Sequence, residues 1–91
     1  MNENPDFARV EFPVDWHGSL IIVAEQDNDP RPAIEQVFRG LGVESFSVTQ
    51  GKVSGQGRYC AWQLQARISD AARFRALGAA LGQLPGVKML L

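Results

Sequence analysis

The chain holds a single cysteine, a single histidine and a single tyrosine among its 91 residues. With Cys60 alone, no internal disulfide can form and no thiols stand at zinc-ligand spacing, which excludes a disulfide-stapled scaffold and a structural zinc site. Charge of one sign is also missing. Nine Lys and Arg against ten Asp and Glu leave a net charge of −1, too little to draw in a phosphate backbone, so nucleic acid is not an expected partner. The longest apolar run, Leu20 to Ala24, is far short of the ~20 residues of a membrane-spanning helix. The N-terminal Met-Asn-Glu-Asn-Pro-Asp lacks the basic-then-apolar order of a secretory signal. No membrane contact, a cytoplasmic location and no cofactor are therefore expected. Internal repeats and low-complexity tracts are absent too.

What remains is ordinary globular composition, 45% hydrophobic and 21% charged. A single domain of this size buries only roughly 60–65% of the surface its unfolded chain exposes, so its core is thin. The clearest pattern lies between Val43 and Ile68. There Cys60, Trp62, Leu64, Ala66 and Ile68 alternate with Tyr59, Ala61, Gln63, Gln65 and Arg67, placing one apolar set on one face of a strand. Phe46 and Val48 repeat the alternation more weakly, and the glycine-rich Gly51–Arg58 turns the two arms into a hairpin.

Upstream, residues 1–15, with Pro5 and Pro13, read as an irregular N-terminal segment in which Phe7, Val10 and Phe12 are apolar enough to dock. Trp16 to Glu25 carries Leu20, Ile21, Ile22, Val23 and Ala24 without alternation, the pattern of a central strand covered on both faces. Asp27–Pro32 holds capping side chains and first-turn prolines, and Ala33, Ile34, Val37, Phe38 and Leu41 then form a helical stripe stopped by Gly40 and Gly42. After the hairpin, Ser69 is placed to cap a second helix with Asp70 in its first turn and Phe74, Leu77, Leu81 and Leu84 on its apolar face. Pro85-Gly86 ends it, and Val87–Leu91 reads as a last, edge strand.

The order is strand, helix, strand, strand, helix, strand. Two βαβ halves with right-handed crossovers give one α+β solution for residues 16–91: a ferredoxin-like βαββαβ sandwich, an antiparallel four-stranded sheet in the order 4-1-3-2 with both helices on one face.

Three motifs resemble the YbeD-like family of small bacterial proteins over about residues 11–91: the closing Leu84-Pro85-Gly86-Val87-Lys88-Met89, the lead-in Phe12-Pro13-Val14-Asp15-Trp16, and Ser54-Gly55-Gln56-Gly57-Arg58-Tyr59 ahead of the third strand. The chain departs from that family in carrying only apolar residues from Leu20 to Ala24, where members often have a lysine, and Gly78, where many have a tyrosine. The resemblance implies a fold similar to the ACT regulatory domain, which senses small molecules and pairs through its sheet. It implies no established activity and no catalytic or ligand residue. Members are sometimes labelled as regulators of lipoate metabolism, a label that no side chain here carries.

Each candidate site has a plainer reading beside it. Gly51–Arg58 offers an anion cradle with Lys52, Ser54 and Arg58, although glycines joining two strands are ordinary hairpin chemistry. Cys60 and His17 could form a nucleophile and base, but Cys60 falls on an apolar strand face and no Asn or Asp is placed to orient His17. Glu25, Asp27 and Asp29 lack the spacing of a calcium loop and read as a solvated turn. The sheet side away from the helices is more informative. Ile21 and Val23 point opposite to Leu20, Ile22 and Ala24, so whichever set faces the helices, an apolar set of the central strand remains on the other side; the candidate interaction face is Ile21, Val23, Ala61, Met89 and Leu91, to be covered either by Phe7, Val10 and Phe12 or by a second chain. The expectation is a non-enzymatic regulatory or adaptor module that self-associates or binds a protein through this face or the last edge strand. The alternative is a sensor of an anionic small metabolite bound near the glycine loop.

Overall fold

The computed structural model describes residues 11–24 and 29–91. The elements run β1 (Val14–Val23), α1 (Arg31–Gly40), β2 (Phe46–Val53), β3 (Tyr59–Ile68), α2 (Ala71–Gly82) and β4 (Val87–Leu90). All strand pairs are antiparallel and the sheet order is β2-β3-β1-β4. This is the expected ferredoxin-like order read from the other edge.

Alternation in β3 sets the register. Cys60, Trp62, Leu64, Ala66 and Ile68 are all buried, and they stand opposite Ile22, Leu20, Gly18, Trp16 and Val14 of β1. The buried strand residues join Ile34 and Phe38 of α1 and Leu77 and Leu81 of α2 in one core. Phe38 stacks on Phe46, centroids 4.8 Å apart, tying α1 to β2.

α1 ends in a Schellman turn. The Gly42 amide donates to the Arg39 carbonyl and the Val43 amide to the Phe38 carbonyl, with Gly42 at φ +76° where a side chain would be strained. Val43, expected at the start of the hairpin, is instead the buried closing contact of this helix.

Four expectations change. β1 begins at Val14, not Trp16, because its pairing with β3 continues to Val14–Ile68 and includes an Asp15–Arg67 ion pair. The cap of α2 is Asp70 rather than Ser69: its carboxylate accepts the Arg73 amide at 2.8 Å, which a residue one position earlier does not do. At α1 the capping position is Pro30, which makes no side-chain cap, and Asp29 accepts the Arg31 amide instead. Finally, β1 is central in the sheet but is not covered on both sides among the described residues. Leu20 and Ile22 are buried, whereas Val23 is 37% exposed.

Candidate functional site

β1 and β3 present their second set of side chains away from the core. Along β1 these are Asp15, His17, Ser19, Ile21 and Val23, and their partners on β3 are Arg67, Gln65, Gln63, Ala61 and Tyr59. A period of two forces this division: once Leu20 and Ile22 go inward, Ile21 and Val23 must point outward. The resulting face has two ends of different character.

At the polar end, Arg67 pairs with Asp15 at 3.1 Å, both side chains being more than half exposed. Gln63 donates to the Ser19 hydroxyl at 3.2 Å. A shallow depression of about 520 Å³, lined by Asp15, His17, Ser47, Gln65 and Arg67 among others, lies here.

At the apolar end, Ile21 stands between Ala61 and Met89. Ile21 and Ala61 are half-buried, while Met89 is 43% and Leu91 72% exposed. Backbone bonds in both directions between Ser19 and Leu91 hold Leu91 beside β1. The β1–β4 register slips between Ile21 and Ile22, so Lys88 is a bulged residue, and its ammonium lies 5.2 Å from the centre of the Tyr59 ring. The five predicted residues are thus brought to one face, four of them at its apolar end and Leu91 beside Ser19, where the apolar and polar ends meet.

Phe12 does not cover that end. Its ring lies 6.2 Å from Phe74 of α2 and packs against the core cluster. Phe7 and Val10, the other expected covers, lie outside the described residues, as do Glu25 and Asp27.

The glycine loop uses Ser54 for its own closure. The Ser54 hydroxyl accepts the Arg58 and Tyr59 amides at 3.1 and 3.2 Å, and its carbonyl accepts the Gly57 amide at 2.8 Å. Lys52 and Arg58 are exposed at the two ends of the turn. Cys60 and His17 are kept apart by register: Cys60 is buried opposite Ile22, and His17 is exposed opposite Gln65, five residues along the strand and on the other face. The nearest polar neighbour of the thiol is the Gln50 amide, 3.6 Å from Sγ. No nucleophile and base meet there. Among the described residues no three His, Cys, Asp or Glu side chains group as metal ligands, and no helix is long and apolar enough to cross a membrane.

One residue was missed by pattern reading. Arg31, at the start of α1, donates to the Val48 carbonyl at 2.9 Å and lies 5.3 Å from the centre of the Trp62 ring. Ser45 directs its carbonyl toward β3, so by alternation the Val48 carbonyl belongs to the outer edge of β2. Arg31 therefore caps part of the longer free edge of the sheet, a known device against edge-to-edge pairing.

Comparison with known proteins agrees with this fold. The sequence profile of a family described as "Protein of unknown function (DUF493)" matches residues 8–91. Two solution structures of protein HP0495 from Helicobacter pylori are similar, each at 13% identity over the whole of this chain. Their TM-scores are 0.74 and 0.64, with 98% and 96% of those chains covered. The ACT domain from GTP pyrophosphokinase of Chlorobium tepidum aligns at 16% identity over 86% of this chain and 97% of that one, with a TM-score of 0.48. No curated protein matches.

Proposed function

The chain belongs to DUF493, a family of proteins of unknown function, and from the chemistry of its sheet we propose that it is a non-enzymatic regulatory or adaptor module of the cytoplasm. It works by self-association or by binding a protein partner on the face opposite the core or at the β4 edge. In this reading both helices pack on the side of Leu20 and Ile22, and the other side is the working surface.

A single observation supports the reading most: apolar side chains of the central strand, Ile21 and Val23, emerge on the side away from the core and continue into exposed Met89 and Leu91. A partner set over this end would remove those apolar side chains from water, a gain of roughly 25 cal/mol for each Å² covered. Nothing in the glycine loop or around Cys60 assembles a reacting group with its base and an orienting partner, which favours binding over catalysis.

The test is sedimentation of the chain at micromolar concentration beside a variant with Ile21→Lys and Val23→Lys. Assembly, or capture of a crosslinked partner, should be lost in the variant while its far-UV circular dichroism stays native. A chain that is monomeric and partnerless, and indifferent to both lysines, refutes the reading. The lipoate label of relatives names one pathway to score in a deletion strain, by the level of protein lipoylation.

A second reading has the two exposed cations of the turn, Lys52 and Arg58, in its favour: a sensor of an anionic metabolite. A thermal-shift screen of carboxylates and phosphates should then find a stabilising ligand whose effect Lys52→Ala removes.

A further inference from the structure

Building on the sheet-face reading, we propose that the partner is a second copy of this chain, stacked face to face about a two-fold axis that runs parallel to the strands above the line between β1 and β3. Area comes first. With strands ~4.8 Å apart and ~3.3 Å per residue, the whole sheet has a flat footprint of roughly 500 Å² per copy, and the apolar end alone less than half of that. Specific interfaces bury about 800 Å² per partner and weak ones somewhat less. The apolar end is too small by itself, so the polar end must also fit its counterpart.

Symmetry then decides the fit. A two-fold axis lying across the strands and centred on the sheet would turn the apolar end of one copy onto the polar end of the other. An axis along the strands keeps each end over its own kind and sets β1 of one copy above β3 of its partner. Every residue of β1 then faces, across the interface, a copy of its own register partner. Asp15 meets Arg67, Ser19 meets Gln63, and Ile21 meets Ala61. The pairs that already complement each other within one sheet are repeated between sheets, so the face is self-complementary in charge as well as in hydropathy. Sheets stacked about 10 Å apart leave room for an arginine to reach an aspartate.

The outer strands are consistent with this placement. Met89 of β4 falls over the β2 position of Gly51, which has no side chain and whose added Cβ would lie 2.6 Å from the Ala61 carbonyl oxygen. Two unfavourable meetings result at the rim, Lys88 against the Gly51–Lys52 bulge and, because its ammonium reaches over Tyr59 toward the axis, Lys88 against its own copy; Lys88 and Lys52 are exposed there and screened by solvent.

A charge-swap mixing experiment tests the arrangement. Asp15 and Arg67 are exposed, so replacing either costs the fold little. Asp15→Arg alone places arginines opposite arginines, and Arg67→Asp alone places aspartates opposite aspartates. Each variant should dimerise roughly tenfold more weakly than the natural chain, or worse. Mixed in equal amounts they should form a heterodimer in which every such pair is again Asp against Arg, and sedimentation equilibrium should recover the natural affinity. If the variants dimerise unchanged, or if mixing restores nothing while Ile21→Lys with Val23→Lys still abolishes assembly, the two-fold arrangement is wrong and the sheet-face reading survives. A natural chain that stays monomeric up to several hundred micromolar overturns the dimer outright, and the broader reading then rests on a different protein partner.

Discussion

Gly18→Ala is the substitution whose outcome follows most directly from the packing. Gly18 lies on the core side of β1, and the Trp16 indole, two residues earlier on the same face, folds over it. A Cβ at position 18 would come within 2.6 Å of the indole Cη2 and closer still to Cζ2. The ring would have to leave. It is not free to do so cheaply, because Trp16 packs against the core and forms, with Phe74, Leu77, Gly78 and Leu90, the walls of an apolar cleft of about 240 Å³. Overpacking of this kind costs ~1–3 kcal/mol. Alanine recovers ~0.5–1 kcal/mol through the lower backbone entropy of the unfolded chain. The balance is a loss of about 0–2.5 kcal/mol, centred on ~1 kcal/mol or roughly 4–8 °C in Tm for a domain of this length. Urea unfolding measures it, and the emission of Trp16 should shift to the red as the ring moves into solvent, with buried Trp62 unchanged. A double-mutant cycle isolates the cause: in a Trp16→Leu background the same Gly18→Ala change should be neutral or stabilising. Equal effects of Gly18→Ala in both backgrounds would refute the reasoning.

Two further perturbations complete the set with those already given for the sheet face. Removing Arg31, as Arg31→Ala, leaves the Val48 carbonyl and one Trp62 face without their partner and should cost about 1–2 kcal/mol; beyond that loss, light scattering should rise with concentration as the β2 edge is freed, and a variant as well behaved as the parent would deny Arg31 its role. Asp70 is held below the ordinary carboxylate value of 3.8, first by the Arg73 amide, with the Arg73 guanidinium adding to it. Its contribution is therefore fully present above the unfolded value and lost as pH falls through the lower folded one. Asp70→Ala should unfold at lower urea than the parent at neutral pH, with the gap closing in acid, while Asp70→Asn, which keeps a capping acceptor, should show a smaller gap at neutral pH and the same change with pH, because both variants remove the same titrating carboxyl; a gap independent of pH would mean that the cap does not act through its charge.

Much of the scaffold was legible in the chain. β3 could be read almost residue by residue, because its apolar side chains alternate with Gln63, Gln65 and Arg67, and no other register would bury one set and wet the other. The stop of α1 was legible from Gly40 and Gly42, and the resemblance of Leu84–Met89 to a known family anticipated the family match over residues 8–91. The misses have physical causes. Ser69 and Asp70 are both good capping residues, and only the backbone, extended at Asp70, selects the second. Arg31 reads as an ordinary surface cation until α1 is docked on β2, since the carbonyl it reaches is 17 residues away. The Cys60–His17 pairing looked conceivable in one dimension and is ruled out by register.

Sequence alone determined the order of the six elements and which side chains within each strand share a face, because a strand offers only two faces and a helix one stripe. It did not determine which side of β1 would be covered, since Leu20, Ile21, Ile22 and Val23 are apolar on both. Tertiary structure made that choice through β3: Leu20 and Ile22 pair with the unambiguous Trp62 and Cys60 and go to the core, while Ile21 and Val23 pair with Ala61 and Tyr59 and remain on the other side. A locally symmetric strand takes its orientation from an asymmetric neighbour, because one register must serve both.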